Sequence, residues 1–82
     1  MKVEILSANW CPFCTKAKTL AKSSAKVTKL DVYDMDATPR PQNVSNLVAE
    51  SFVRGFNTMP RIWVDGVFIG GFTDLEKVLN QA

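Results

Sequence analysis

Apolar positions along the first half of the chain follow two spacings, which predicts strands alternating with helices. A short apolar run within residues 2–7 and an alternating pattern within residues 27–33 each predict a strand. Between them, residues 12–24 carry apolar side chains at helical spacing and predict a helix. The inward face of that helix is predicted to hold Ala17, Leu20, Ala21 and Ala25.

The middle of the chain predicts a connection and a second helix. Residues 34–41 contain turn formers and two prolines, and Pro39 or Pro41 is predicted to begin the helix. The helical spacing of apolar residues extends the prediction over residues 41–54. Gly55 then suits the C-terminal cap, where a left-handed backbone is needed.

The last third predicts a hairpin followed by a third helix. Residues 61–65 and 67–70 are predicted strands, joined by Asp65-Gly66, a strong signal for a tight turn. Thr73 and Glu76 have the spacing of a capping box. The final helix is therefore predicted to begin at Thr73 and to run to about Gln81. Its buried residues are predicted to be Leu75, Val78 and Leu79.

The predicted order is β-α-β-α-β-β-α within a single domain spanning residues 1–82. The first β-α-β unit is expected to be right-handed with parallel strands, whereas the final hairpin must be antiparallel. These connections predict an α/β fold, with a four-stranded mixed sheet flanked by three helices.

Composition and charge exclude several other classes of protein. The hydrophobic fraction of 46% is that of a globular domain and excludes a disordered chain. The net charge of +2 is small, and the lysines near the first helix are expected to form a solvated face rather than a nucleic-acid patch. No apolar stretch has the length of a membrane span or the character of a signal peptide, so we expect a cytoplasmic protein.

The two cysteines of the chain, Cys11 and Cys14, stand three residues apart where the first helix begins. Pro12 is favoured at the first helical position, which puts Cys11 at or beside the N-cap. There its sulfur faces unpaired backbone N–H groups and the positive end of the helix dipole, which favour the reactive thiolate. Cys14 follows one turn later on the same face, close enough to form a small disulfide.

Three alternatives to redox chemistry exist for this pair. A structural disulfide closing so short a loop would remove little chain entropy. A zinc site would need carboxylates or a second chain, since the sequence has no histidine and no further cysteine. Two buried, inert thiols are the third alternative, although Pro12 favours an exposed turn. The pattern favours redox catalysis.

A proline and a pair of glycines mark two further segments. Thr58-Met59-Pro60 precedes a strand, and the residue before a proline is extended, which exposes the N–H and C=O of Met59. A cis bond there would present these groups to an extended peptide, whereas a trans proline would only mark the start of the strand.

Gly70-Gly71 leads into the predicted start of the last helix, whose free N–H groups suit a carboxylate. Asp74 could accept a hydrogen bond from an ammonium group beside it. A turn followed by a well-capped helix is the alternative. Phe13 is expected to make apolar contact with a substrate, and Trp10 to pack in the core or form a wall of the groove.

These segments together resemble the motifs of the dithiol glutaredoxins, in the family's order and spacing. The short length of the chain is similar to that of the small bacterial and phage members. The resemblance covers essentially the whole chain. It rests on Cys-Pro-Phe-Cys at 11–14, Ala17-Lys18, Thr58-Met59-Pro60 and Gly70-Gly71-Phe72-Thr73-Asp74.

The resemblance implies a thioredoxin-like fold with Pro60 in cis, and Cys11 and Cys14 as the catalytic pair. It also implies a glutathione groove in which Met59 pairs with the backbone of the glutathione cysteine, and Thr73 and Asp74 hold the γ-glutamyl end. The implied glutathione-binding residues are Phe13, Thr58, Met59, Pro60, Gly71, Phe72, Thr73 and Asp74.

The chain departs from the family pattern at three positions. Phe13 stands where tyrosine is common, and Met59 stands where valine is usual. Ala8 occupies the position of a lysine that many members use for the glycine carboxylate of glutathione, and Arg61 or Lys18 are the candidates to replace it.

The function implied is a glutathione-dependent thiol–disulfide oxidoreductase that reduces protein disulfides and glutathione mixed disulfides. Glutathione is then the reducing co-substrate, and no metal, nucleic acid or membrane is expected to take part. We expect a monomer with disulfide-containing or glutathionylated proteins as partners, ribonucleotide reductase being a candidate. The alternatives are a redoxin that takes electrons from thioredoxin reductase to serve ribonucleotide reductase, and a dimer that carries an iron–sulfur cluster through Cys11 and glutathione.

Overall fold

A computed structural model of the protein describes residues 1–80 and confirms the predicted element order. No helix among these residues is long and apolar enough to span a membrane. The elements are β1 Lys2–Ser7, α1 Pro12–Ser23, β2 Lys29–Asp34, α2 Gln42–Val53, β3 Arg61–Val64, β4 Val67–Gly70 and α3 Phe72–Leu79.

The four strands form one mixed sheet in the order β2-β1-β3-β4. β1 pairs with β2 in parallel and with β3 antiparallel, and β3 and β4 form the antiparallel hairpin. The hairpin turns at Asp65 and Gly66, both with positive φ, as the tight turn predicted from their sequence requires. The architecture is therefore the expected thioredoxin-like α/β fold.

Side chains on the two faces of β1 build separate parts of the core because successive residues of a strand point to opposite sides. Val3 and Ile5 pack on one side with Ala17, Ala21, Leu75 and Leu79, which belong to α1 and α3. Leu6 packs on the other side with Trp63 and with Val44 of α2. The sheet thus lies between α2 on one face and α1 with α3 on the other. Leu20 also packs against this core, although it is only half-buried. Ala25 is exposed and lies beyond the end of α1, so its predicted inward position is wrong.

The ends of several elements differ from prediction by one or two residues. Val27 lies before β2 because its N–H donates to the Ser24 carbonyl in the turn after α1. Pro41 precedes α2 in an extended conformation and serves as its N-cap. At the other end of α2 the prediction holds, since Gly55 has a φ of 80° and donates to the Phe52 carbonyl.

The predicted start of α3 is wrong. The N-cap is Gly71 rather than Thr73, and the carboxylate that reaches back belongs to Asp74 rather than Glu76. Asp74 Oδ2 accepts a hydrogen bond of 2.9 Å from the Gly71 N–H. A carboxylate at the third helical position satisfies an end donor and opposes the helix dipole, so the N-cap lies two residues earlier than predicted. The predicted end near Gln81 lies outside the described residues.

Gly70 makes the close approach of Asp74 possible. Its φ is 122°, and a Cβ placed on it would overlap the Asp74 carboxylate. Gly55 shares a positive φ but has open space around the corresponding position, so it is a matched control. We expect Gly55→Ala to lower the free energy of unfolding by about 1–2 kcal/mol through backbone strain alone. Gly70→Ala is expected to lower it by roughly 1–3 kcal/mol more through overpacking.

Urea denaturation of both variants measures the difference. An equal loss of stability in Gly55→Ala and Gly70→Ala would contradict the assigned contact between Gly70 and Asp74.

Candidate active site

The two cysteines lie at the start of α1, and both are reduced. Cys11 is the N-cap residue, and its Sγ accepts a hydrogen bond of 3.2 Å from the Cys14 backbone N–H. Pro12 occupies the first helical position, as its sequence predicts. The sulfur of Cys11 therefore accepts a hydrogen bond from the first turn of the helix, at the positive end of the helix dipole.

Both thiols are less exposed than the predicted turn suggested. Cys11 is 6% exposed and Cys14 only 1%. Burial raises the pKa of the Cys14 thiol, and its hydrogen bond with Cys11 raises it further, while the Ala8 backbone and the Ser7 hydroxyl act in the opposite direction. Cys14 is thus a protonated, enclosed thiol, whereas Cys11 forms part of the surface of a cleft.

The sheet brings three separate segments together around Cys11. In the antiparallel pair of β1 and β3, Leu6 lies opposite Arg61, so the cysteine loop after β1 meets the residues that precede β3. In the pair of β3 and β4, Ile62 lies opposite Gly70, which brings the start of α3 to the same edge. The cysteine loop is separated in sequence from the other two segments by about half the chain. The register of the strands brings all three together.

The cleft between these segments has a volume of about 550 Å³, within the usual range for small-molecule sites. It includes every predicted site residue except Cys14, which lies beneath Cys11. Trp10, Pro12, Phe56 and Asn57 also line it. Phe56 and Asn57 were not predicted as site residues. The aromatic residue directly after the glycine cap of α2 could have indicated that this segment contributes to the site.

Aromatic rings form one side of the cleft beside Cys11. Phe13 is 51% exposed, and its ring centroid lies 5.9 Å from that of Phe72. The ammonium of Lys16 lies 4.9 Å from the centre of the Phe13 ring. Trp10 is 73% exposed and lines the cleft, so it is a wall of the groove and not a core residue.

The segment Thr58-Met59-Pro60 forms another wall of the cleft, and the Met59–Pro60 bond is cis as expected. Within residues 1–80, the backbone N–H and C=O of Met59 make no hydrogen bond to the protein. Arg61, a candidate to bind a carboxylate in the cleft, instead points into the interior and donates to the Thr58 carbonyl. Neither Arg61 nor Lys18 lines the cleft.

The start of α3 also lines the cleft, with Gly71, Phe72, Thr73 and Asp74. One carboxylate oxygen of Asp74 is already bound to the Gly71 N–H, which fixes the side chain at the helix terminus. No cluster of three potential metal ligands occurs within the described residues.

Comparison with known proteins agrees with this geometry. The glutaredoxin family model matches residues 3–69. The glutaredoxin of Haemophilus influenzae is 32% identical over 82 residues, covering 99% of this chain and 93% of that protein.

Two solved structures share the fold. Reduced Escherichia coli glutaredoxin has a TM-score of 0.72 and 26% identity, covering 95% of this chain and 92% of its own. A buckwheat glutaredoxin solved as a glutathione complex has a TM-score of 0.66 and 18% identity, covering 92% of this chain and 64% of its own.

The family model, the relatives and the paired cysteines agree on a thiol–disulfide oxidoreductase. The chain belongs to the glutaredoxin family and carries the cysteine pair of its dithiol members.

Proposed function

We propose that the protein reduces glutathione mixed disulfides and protein disulfides, with glutathione as the electron donor and Cys11 as the nucleophile. The observation that carries the proposal is a single cleft lined by Cys11, by Met59 with its unpaired backbone groups, and by the amide-bearing start of α3. The fold shared with a buckwheat glutaredoxin that binds glutathione supports the choice of ligand.

The cysteine and γ-glutamyl parts of glutathione each have a chemically suitable partner in the cleft. The N–H and C=O of Met59 can pair with the backbone of the glutathione cysteine, as in the addition of a strand to a sheet edge. The N-terminal amides of α3 suit the γ-glutamyl carboxylate, and the free oxygen of Asp74 suits its ammonium group. Phe13 and Phe72 supply apolar contact beside the sulfur.

On a glutathione mixed disulfide, the Cys11 thiolate attacks the glutathione sulfur. The Cys11–glutathione disulfide forms as the substrate S–S bond breaks, and the released substrate thiolate takes a proton from water. A second glutathione thiolate then attacks the glutathione sulfur, which gives oxidised glutathione and restores the Cys11 thiolate. Cys14 is not needed in this cycle.

On a protein disulfide, Cys11 attacks one substrate sulfur and forms a mixed disulfide, releasing the other as a thiol. Cys14 then loses its proton and attacks the Cys11 sulfur, which frees the second substrate thiol and leaves a Cys11–Cys14 disulfide. Two glutathione molecules reduce that disulfide. A reducing cytosol is the compartment that suits a cysteine pair cycling in this way.

Substitutions of the two cysteines should therefore have different effects on activity. We expect Cys11→Ser to reduce turnover to background on both substrate types, because no other thiolate faces the cleft. Cys14→Ser should retain most activity on a glutathione mixed disulfide and lose reduction of a protein disulfide. The assay couples oxidised glutathione to NADPH oxidation through glutathione reductase.

Equal loss in both variants on the mixed disulfide would contradict these roles. Replacing glutathione and its reductase with thioredoxin reductase tests the alternative electron donor, and comparable turnover there would overturn the dependence on glutathione.

Outside the catalytic cycle, the Cys14 thiol should react with an alkylating reagent mainly at high pH. Because burial raises its pKa above the ordinary 9.0, the thiolate fraction at any given pH is smaller than in a free cysteine. In the Cys11→Ser variant, where burial persists, the rate of alkylation by iodoacetamide is expected to rise with a midpoint above 9.0. A short peptide with one cysteine provides the reference curve, and a midpoint at or below that of the peptide would contradict the assignment.

A further inference from the structure

Arg61 is a buried cation directly beside the cleft wall, held by neutral acceptors. It is only 6% exposed, and its Nη1 donates to Ser51 Oγ at 3.0 Å while its Nε donates to the Thr58 carbonyl at 3.2 Å. Neither of the ion pairs found in the described part of the chain includes it. Removing a guanidinium from water is costly, and an apolar side chain of similar length would fill the same space without that cost.

The two acceptors tie the cleft wall to α2. Ser51 is fully buried in α2, and its hydroxyl donates to the Val48 carbonyl at 2.9 Å, which fixes the direction of its oxygen. Arg61 therefore links a rigid point on α2 to the carbonyl of Thr58. The rigid fork of a guanidinium suits two acceptors at a fixed separation.

Holding the Thr58 carbonyl also sets the direction of the Met59 N–H, because both belong to one peptide group. A peptide group is planar, and in the trans form its N–H and C=O point in opposite directions. The bond between Thr58 and Met59 is trans, since the cis bonds among the described residues precede Pro39 and Pro60. With the carbonyl turned toward Arg61, the N–H of Met59 points away from it.

We propose that Arg61 is a positioning residue that aims the Met59 N–H at the substrate backbone by holding the Thr58 carbonyl against Ser51. The inference rests on the proposed function, which gives that N–H its partner in glutathione. Arg61 itself touches no substrate. Its role is to remove the freedom of the Thr58–Met59 peptide group to rotate, so that the group is already oriented when the substrate arrives.

The test uses Arg61→Met, which keeps an unbranched side chain as far as the position of Nε and removes both donors. We expect kcat/KM for a glutathione mixed disulfide to fall about 5- to 10-fold, the effect of one misdirected hydrogen bond. The loss should lie in KM, with kcat within about twofold of wild type, because Cys11 is untouched. Arg61→Lys should recover only part of the loss, since one ammonium cannot reproduce the fork.

Glu50→Ala is the matched control. Glu50 Oε2 accepts a hydrogen bond of 3.1 Å from Trp63 Nε1, so this variant also weakens the attachment of α2 to β3 but leaves Thr58 alone. We expect its KM to equal that of wild type. A similar rise of KM in Glu50→Ala and Arg61→Met would reduce Arg61 to a structural role and overturn the proposal.

A second readout does not depend on turnover. In the substrate-free, reduced protein, the amide resonance of Met59 in a ¹⁵N–¹H NMR spectrum should move in Arg61→Met and stay in place in Glu50→Ala. If Arg61→Met does not fold, Ser51→Ala removes one acceptor and is expected to move the same resonance. An unmoved Met59 resonance would overturn the positioning role even where glutathione supports turnover. Absence of turnover with glutathione in wild type would instead refute the proposed function.

Discussion

The hydrogen bond from the Cys14 N–H to Cys11 Sγ is the interaction on which the site depends. It exists because Cys11 caps α1 and Pro12 begins that helix, so the sulfur replaces the missing intrahelical acceptor. The same geometry puts Cys14 one turn deeper, where burial keeps its thiol protonated. One helix start therefore creates two different thiols, one at the cleft and one beneath it.

Strand register supplies the remainder of the site. β1 and β3 lie side by side at the centre of the sheet, and β4 follows antiparallel to β3. As a result the cysteine loop, the Thr58–Pro60 wall and the start of α3 all reach one edge of the sheet. The wall and α3 carry the free backbone groups, whereas the cysteine loop carries the sulfur. Recognition through the backbone and chemistry at the sulfur are thus assigned to different segments of the chain.

Periodicity, prolines and the Asp65-Gly66 turn are local signals, and they were sufficient to predict the element order and the sheet. Most residues of the cleft were predicted by the resemblance to the glutaredoxins. The sequence was insufficient for Asp74, whose partner Gly71 depends on where α3 begins, and for Arg61, whose partner Ser51 lies on α2. Thr73 and Glu76 have the right spacing for a capping box, yet Asp74 is close enough to Gly71 to take that role. Arg61 looked available for a carboxylate, yet Ser51, ten residues earlier, receives its guanidinium. Phe56 and Asn57 line the cleft because the chain that follows α2 meets the cysteine loop and the start of α3 there.

The most direct test of the account is competition between the two thiols of the reduced wild-type protein for limiting iodoacetamide at neutral pH. Trypsin leaves both cysteines in the fragment 3–16, so tandem mass spectrometry must locate the label within it. Label on Cys11 well before Cys14 is the predicted result, since only Cys11 combines helix-end amides with access to the cleft. Label on Cys14 first, or on both at equal rates, would contradict the assignment of the nucleophile.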